Sequence, residues 1–511
     1  MLTEISPSGI SSDNSGMSKN VLGMMTDQYR ADALGCMGNE VIQTPNLDRL
    51  GENGVVFENA FCQCPACMAS RAALFTGRYP EAVRVRGMGV LPPSETTFPE
   101  LLQRNGYHTG AFGKVHLTPE QYVKNELNSE VPILDWRRFA EAAHLRPVPD
   151  DPCKEDYGFK THVGCDDACQ GNFRDWLRTE APEMLDRSRK RFSEDGPRDL
   201  FVSPYPSEYH QSSFIAEKTV RYILERNPNE PWMAFCSFVA PHHPFEAPQD
   251  QIDRYDERDI PPPEIGEGVQ IENPPKELAA AIGEIETFPE KIQRRIVLHY
   301  YAAVSLIDDC VGRVLDALEE SGQAEETVVV FVADHGEFLG NHGLLRKPSF
   351  HYDDTLRVPL LPRSPGLKGG RRVGGLVELI DLYPTLLGLL DIPVNAGVQG
   401  MDLSTALAED KPIGHPDIHS DIYEMDPMVC GQGSGPYAAC QTLRTEDWKV
   451  NVYPDDHPEC GQLFHLAEDP GETRNLYNDP GHREKREEML WRLLQRMHSN
   501  TDPLPLRLTQ W

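Results

Sequence analysis

Cys67 heads the run Cys67-Met-Ala-Ser-Arg71-Ala-Ala-Leu-Phe-Thr-Gly-Arg78. Its composition places a potential nucleophile just before a helix, with guanidinium groups one turn and three turns further along. The free N–H groups and positive dipole end of a helix N-terminus favour an anion or a reactive oxygen there. A run used in that way belongs to a hydrolase that handles anions. A lone cysteine on an amphipathic helix is more often a packed core residue, and it is the neighbours of Cys67 that favour chemistry.

Two further pairs supply metal-binding character. Asp27-Gln28 and Asp334-His335 offer hard oxygen and imidazole donors suited to a divalent cation. A single aspartate at a strand end usually caps a helix, whereas two such pairs argue for a metal. The string Asp334-His-Gly-Glu-Phe-Leu-Gly-Asn-His342-Gly-Leu-Leu-Arg-Lys347, the element Gly113-Lys114-Val-His116-Leu and the element Pro241-His242-His-Pro-Phe245 add cations and proton-transfer groups. Cys62 and Cys64 lie close to Cys67, but no second Cys or His group follows at zinc-site spacing, so core packing is the expectation for them.

The elements that must position these groups alternate. Val21–Met25, Val55–Phe57 with Ala60–Phe61, His108–Phe112, Trp232–Val239 and Thr327–Val332 read as buried strands. Helices are expected from Thr44-Pro45, with threonine as N-cap and proline at the first helical position, and over about Thr97–Arg104, Ile292–Glu320 and Leu382–Leu390. Strand–helix alternation of this kind predicts an α/β sandwich with a large, mainly parallel central sheet flanked by helices. Beyond about residue 413, Asp417–Tyr423, Trp448–Val452 and Gln462–Phe464 predict a small C-terminal antiparallel sheet, with the helix Arg483–Met497 packed on it. The expected organisation is a disordered leader over 1–18, a catalytic domain over 19–412 and a smaller C-terminal subdomain over 413–511. Ligands of open parallel sheets gather beyond the carboxyl ends of the strands. Asp27, Cys67, Lys114, His242 and Asp334 all follow an expected strand, so one shared site is predicted.

Bulk properties narrow the partners. The 511 residues exceed what one core usually serves. With 49 basic and 80 acidic residues the formal charge is −31, which argues against nucleic acid and, more weakly, against long polyanionic substrates. No stretch approaches the roughly 20 apolar residues of a membrane span. The polar N-terminus has no charged start followed by an apolar segment, and 12 cysteines do not amount to a disulfide scaffold. The expected location is cytoplasmic, or periplasmic or secreted if a signal peptide has been removed.

Together these motifs resemble the type I sulfatases of the alkaline phosphatase superfamily. Cys67, Ser70, Arg71, Thr76, Gly77 and Arg78 match that family's signature, with Ala69 where most members have proline. The resemblance implies that a formylglycine-generating maturation enzyme converts Cys67 to formylglycine (3-oxoalanine), whose hydrate is the nucleophile. It implies one divalent metal held by Asp27, Asp334, His335 and the oxygen at position 67, with Ca²⁺ foremost and Mn²⁺ or Mg²⁺ as alternatives. Arg71, Lys114 and Lys347 would stabilise charge or support the nucleophile. His242 or Lys347 would protonate the departing alcohol, and His116 would deprotonate the second hydroxyl so that sulfate is expelled. The substrate implied is a small-molecule or saccharide sulfate ester. Two positions depart from the pattern. Gln28 stands where many sulfatases have a second aspartate, a form shared with phosphonate monoester hydrolases, so hydrolysis of phosphonate monoesters or phosphodiesters is the alternative. Met88 stands about where relatives carry an asparagine, whose contact is either lost or supplied by Arg84 or Arg86.

Overall fold

The computed structural model describes residues 20–118, 122–124, 130–132, 156–166, 171–185, 187, 190–192, 195–266, 269, 271, 274–423, 439–454 and 457–504. The expected leader lies outside them. The chain opens on β1 (Asn20–Asp27), then α1 (Pro45–Asn53), β2 (Val55–Phe61), α2 (Cys67–Thr76), β3 (His108–Gly113) and β4 (Thr161–Gly164). α3 (Gln211–Leu224), β5 (Trp232–Pro241), α4 (Glu290–Glu320), β6 (Thr327–Ala333), β7 (Leu360–Arg363), β8 (Arg371–Glu378) and α5 (Leu382–Leu389) follow.

The main sheet has six strands in the order β7-β6-β1-β5-β3-β4. All its pairings are parallel except β6 with β7. β1 and β6 are apolar almost throughout because helices cover both faces. On one face Leu74 and Phe75 of α2 and Leu382 and Leu386 of α5 meet Val21, Met233, Phe235, Val330 and Val332. On the other, α3 and α4 pack together and against β5. Each such side chain contributes about 1.5–3 kcal/mol when fully buried.

β2 was expected in the same parallel succession but belongs to a second, three-stranded sheet. It pairs parallel with β8 and antiparallel with Arg357–Val358. Thr44 precedes α1 as expected, yet its side chain does not cap that helix. The Asp308 carboxylate of α4 does so instead, accepting from the Asn46 and Leu47 amides at 3.1 and 2.8 Å. A cap from a distant element satisfies the same orphan donors.

The C-terminal sheet is antiparallel with four strands, β9 (Ile418–Tyr423), β10 (Ala439–Arg444), β11 (Trp448–Val452) and β12 (Gly461–His465). Helix α6 (Arg483–Ser499) lies on it, and Met489 and Leu493 join Leu443, Val450 and Leu463 in a separate small core. No helix among the described residues is long and apolar enough to cross a membrane.

Gly113 ends β3 with φ +99°, and a Cβ there would overlap the Ser237 carbonyl oxygen of β5. Only glycine combines that conformation with so close an approach. Gly113→Ala is therefore expected to destabilise the fold by about 2–4 kcal/mol, from the strained φ together with overpacking, read as a lower urea midpoint. An unchanged midpoint would mean that the strand end relaxes freely.

Candidate active site

The main sheet delivers most of the site at its carboxyl edge. Asp27 is the last residue of β1, Lys114 follows β3, His242 follows β5 and Asp334 follows β6. Cys67 arrives from the second sheet, through a short link after β2, as the first residue of α2 rather than the residue before it. All ten residues of α2 are buried, and Gly77 ends it in the left-handed conformation, with φ +65°.

At the centre, Cys67 Sγ lies 3.4 Å from Asp27 Oδ1 and 3.2 Å from His335 Nε2. Lys347 Nζ is 2.6 Å from the same sulfur and 2.8 Å from His335 Nε2. Donor atoms of Asp27, Cys67, Asp334 and His335 all fall within 4.8 Å of one another. His335 Nδ1 sits 2.9 Å from the Gly336 carbonyl oxygen, so that nitrogen carries the ring proton and Nε2 presents its lone pair to the cluster.

Arg71 underlies the cluster without being exposed to it. Its Nε donates to Asp334 Oδ2 at 2.8 Å, and Nη1 donates to the Lys114 carbonyl at 2.6 Å and to Ser237 Oγ at 3.1 Å. Nη2 reaches Asp27 Oδ2 at 3.5 Å. Lys114 Nζ lies 3.2 Å from Asp27 Oδ2 and 3.4 Å from Asp166 Oδ1. Ser70 Oγ donates to the Asp334 carbonyl at 2.5 Å. Arg71 is thus a brace that orients two carboxylates.

Charge follows from this geometry. Burial alone would raise the Asp27 carboxyl, but the surrounding cations, Lys114 foremost, hold it well below the usual carboxylate range. Burial and the Lys347 charge lower His335 to about 4, leaving it neutral. Burial opposes the charge on Lys347, yet Cys67, Asp27 and Asp334 raise its pKa above the ordinary value. Burial and Asp27 push the Cys67 thiol up to about 12. Since the thiolate is the reactive form, unmodified Cys67 is a poor nucleophile here.

His242 and His243 stack at 4.1 Å between ring centroids. His242 Nδ1 is 2.5 Å from the His243 carbonyl oxygen, which leaves Nε2 to exchange a proton. Burial and the Lys347 charge hold His242 well below its ordinary value. His116 is buried two residues beyond Lys114, with φ +54°.

Gln28, with φ +65°, donates its backbone N–H to Asp334 Oδ1 at 3.0 Å. Its Nε2 donates to Glu337 Oε2 and lies 3.2 Å from His243 Nδ1, while its Oε1 is buried without a hydrogen-bond donor among the described residues.

One signature position, Arg78, and several neighbouring residues serve elsewhere. Arg78 pairs with Glu95 and Asp502. Arg84 is exposed and 3.7 Å from Glu95, and Arg86 donates to Asp421 at 2.9 Å. Both arginines thus have carboxylate partners outside the cluster around Cys67, and Met88 is itself exposed. Cys62 and Cys64 are buried with their sulfurs toward the Thr355 and Arg86 carbonyl oxygens. Sequence reasoning passed over Ser237, Asp166, His243 and Glu337. Of these, His243 and Glu337 stand inside the motif strings, and Ser237 lies within the expected strand Trp232–Val239.

A family model described as Sulfatase matches residues 19–392, and one described as N-sulphoglucosamine sulphohydrolase, C-terminal, matches residues 340–499. An arylsulfatase of Clostridium perfringens is 30% identical over 482 residues, covering 92% of each chain. A multifunctional alkaline phosphatase superfamily protein, PehA, of Trinickia caryophylli is 27% identical, covering 91% of this chain and 92% of its own. Among solved structures, a phosphonate monoester hydrolase of Agrobacterium radiobacter superposes with a TM-score of 0.76 at 23% identity, covering 96% of this chain and 98% of the other.

Proposed function

Because the chain belongs to the sulfatase family of the alkaline phosphatase superfamily and is a sulfuric ester hydrolase, we propose that it cleaves an organic sulfate monoester to alcohol and inorganic sulfate, using Cys67 matured to formylglycine at a divalent-metal site. The observation that carries this reading is the convergence of Asp27, Asp334, His335 and Lys347 on the Cys67 sulfur. Sγ marks the place that an oxygen of the matured residue would take.

The donor set fits a divalent cation. Two carboxylates and one neutral imidazole form a mainly hard donor set, and Gln28, next to Asp27, carries a buried carbonyl oxygen with no donor among the described residues. The Lys347 ammonium, set against Cys67 and His335 and 3.9 Å from Asp27 Oδ1, is consistent with a cluster that attracts positive charge. Asp27, Asp334, His335 and the oxygen at position 67, with Gln28 beside Asp27, would hold the metal, with Ca²⁺ foremost. When bound, it would polarise the sulfuryl oxygens and favour the ionised form of the nucleophile. The aldehyde hydrate would supply a nucleophile able to release sulfate by elimination, a route closed to a thiol.

The remaining work falls to this chain's own groups. Arg71 keeps the two carboxylates in register, and Lys114 and Lys347 offset charge on the sulfuryl group. In the resting site Lys347 carries the proton available to the departing alcohol. His242, neutral at rest, becomes a donor only when the substrate's charge raises it. His116 is the proposed base that resets the site. Residues 19–412 would form the catalytic domain and 413–511 the smaller subdomain.

Leaving-group dependence tests the acid. If Lys347 protonates the alcohol, Lys347→Ala should slow alkyl sulfates about 10²–10⁴-fold and slow sulfates of acidic phenols less, because a good leaving group needs no proton. Equal losses on both would assign Lys347 to anion binding alone. The neutral Gln28, together with the multifunctional relative, favours a second reading, hydrolysis of phosphonate monoesters or phosphodiesters. Side-by-side rates on an aryl sulfate and an aryl phosphonate separate the two readings, and a large phosphonate preference would overturn the first.

A further inference from the structure

Glu337 is completely buried and lies three residues beyond Asp334, yet the mechanism above gives it no task. Its Oε1 accepts two backbone N–H groups, from Leu339 at 2.9 Å and from Arg346. Its Oε2 accepts from Gln28 Nε2. The carboxylate therefore ties together two parts of the site that come from distant segments. One is the Gln28 amide beside Asp27. The other is the turn ending at Arg346, the residue before Lys347. The turn is also held by the Phe338 N–H to the Arg346 carbonyl at 3.0 Å and by the Arg346 side chain, which pairs with Asp199 and Glu284 at 2.8 Å each; the backbone N–H to Glu337 is the contact that links the turn to Gln28.

An amide has two distinguishable ends. With Oε1 of Glu337 occupied by two donors, its Oε2 faces Gln28, and a carboxylate oxygen there selects the NH₂ end. His243 Nδ1, 3.2 Å away, is a second partner for the same NH₂. The carbonyl end is then turned away from both. It is the orphan Oε1, buried with no donor among the described residues, a state that costs about 1–3 kcal/mol unless something else satisfies it.

We infer that Glu337 is a positioning residue that orients the Gln28 amide, presenting its carbonyl oxygen as a neutral ligand for the divalent cation, while holding the turn that carries Lys347. This rests on the metal site proposed above. It also gives a physical role to glutamine at a position where a carboxylate would need no such orientation, because both of its ends are acceptors.

Glu337→Gln is the discriminating change, since it preserves volume. The new side chain keeps its oxygen on the Leu339 and Arg346 amides and turns its own NH₂ toward Gln28. Two donors then face each other, so the Gln28 amide must turn over and withdraw its carbonyl. The test is a calorimetric titration of chelator-stripped protein with CaCl₂ and with MnCl₂, alongside the thermal midpoint of the metal-free protein. The expected result is a cation affinity about 10–100-fold weaker in Glu337→Gln, with the metal-free midpoint close to wild type. In the swap Gln28→Glu/Glu337→Gln, residue 28 gives one oxygen to the new amide and one to the cation at unchanged total charge, and affinity should return. Wild-type affinity in Glu337→Gln would overturn the inference, as would a swap that keeps a wild-type midpoint but does not recover cation binding. If wild-type protein binds neither cation, the metal reading itself fails along with this one. If Glu337→Gln does not fold, the swap against Gln28→Glu alone decides the same question: equal affinities would overturn the inference, and tighter binding by the swap would support it.

Discussion

Cys67→Ala is expected to lose turnover by about 10⁵–10⁶ in kcat, the scale seen when a covalent nucleophile is removed, while the protein folds normally. The two halves of this expectation have separate physical grounds. Cys67 is the first residue of α2, 3% exposed, and its backbone conformation suits alanine. Removing one sulfur atom costs about 1 kcal/mol, an ordinary value for a small buried truncation. Lys347 retains His335 Nε2 as a partner at 2.8 Å, so no ammonium is stranded. Catalysis has no such reserve. No other side chain that could be made nucleophilic touches Asp27, His335 and Lys347 together among the described residues. Residual activity above one-thousandth of wild type, in protein free of wild-type carry-over, would mean that another group attacks.

The second large effect is at Asp334. Asp334→Ala should abolish cation binding and turnover together and should also weaken the fold, unlike Cys67→Ala. Asp334 Oδ2 is the shortest carboxylate contact of the fully buried Arg71, at 2.8 Å, and the alternative at Asp27 is 3.5 Å away. Breaking one partner of a buried ion pair typically costs about 3–5 kcal/mol, because the surviving charge stays desolvated. Its Oδ1 also accepts the Gln28 and His335 backbone N–H groups at 3.0 and 2.9 Å. Asp334→Asn keeps the shape and an acceptor, so it should recover much of the stability without the cation. Elemental analysis after dialysis and urea midpoints for both variants check this. Stoichiometric metal in Asp334→Ala would remove Asp334 from the ligand set.

The reaction centre was legible in the sequence because its residues fall where strand patterns stop. Asp27, Lys114, His242 and Asp334 each terminate or follow a run of apolar residues, and a parallel sheet brings such positions to one edge. The same logic placed Cys67 after a strand but could not show that β2 belongs to another sheet. Its apolar pattern reads alike in either sheet. Strands β4, β7, β8 and β10 carry no clear strand pattern in the sequence. β4 and β7 are short, β8 carries Arg371, Arg372 and a Gly pair, and β10 is marked by buried polar residues such as Gln441 and Thr442. Ser237 and Asp166 show the limit for side chains. One is a small residue inside a strand, the other follows a strand that was not expected, and neither carries local spacing that hints at its contact. Arg78 shows the opposite error. It belongs to the signature, yet α2 ends at Gly77 and the guanidinium leaves for Glu95 and Asp502. Arg71, one turn from Cys67, remains in the helix and under the site.

The resting thiol gives a physical reason for the proposed maturation of Cys67. At about 12, its pKa keeps Cys67 protonated at neutral pH even with Lys347 beside it, so the thiol as encoded is a weak nucleophile. Peptide mass spectrometry of the active enzyme across residues 67–71 tests this most directly. Conversion of the thiol to the aldehyde lowers the mass at Cys67 by about 18 Da through oxidation of the side chain, and the modified fraction should rise in proportion to specific activity. A fully active preparation in which Cys67 retains the mass of an intact thiol would contradict the account.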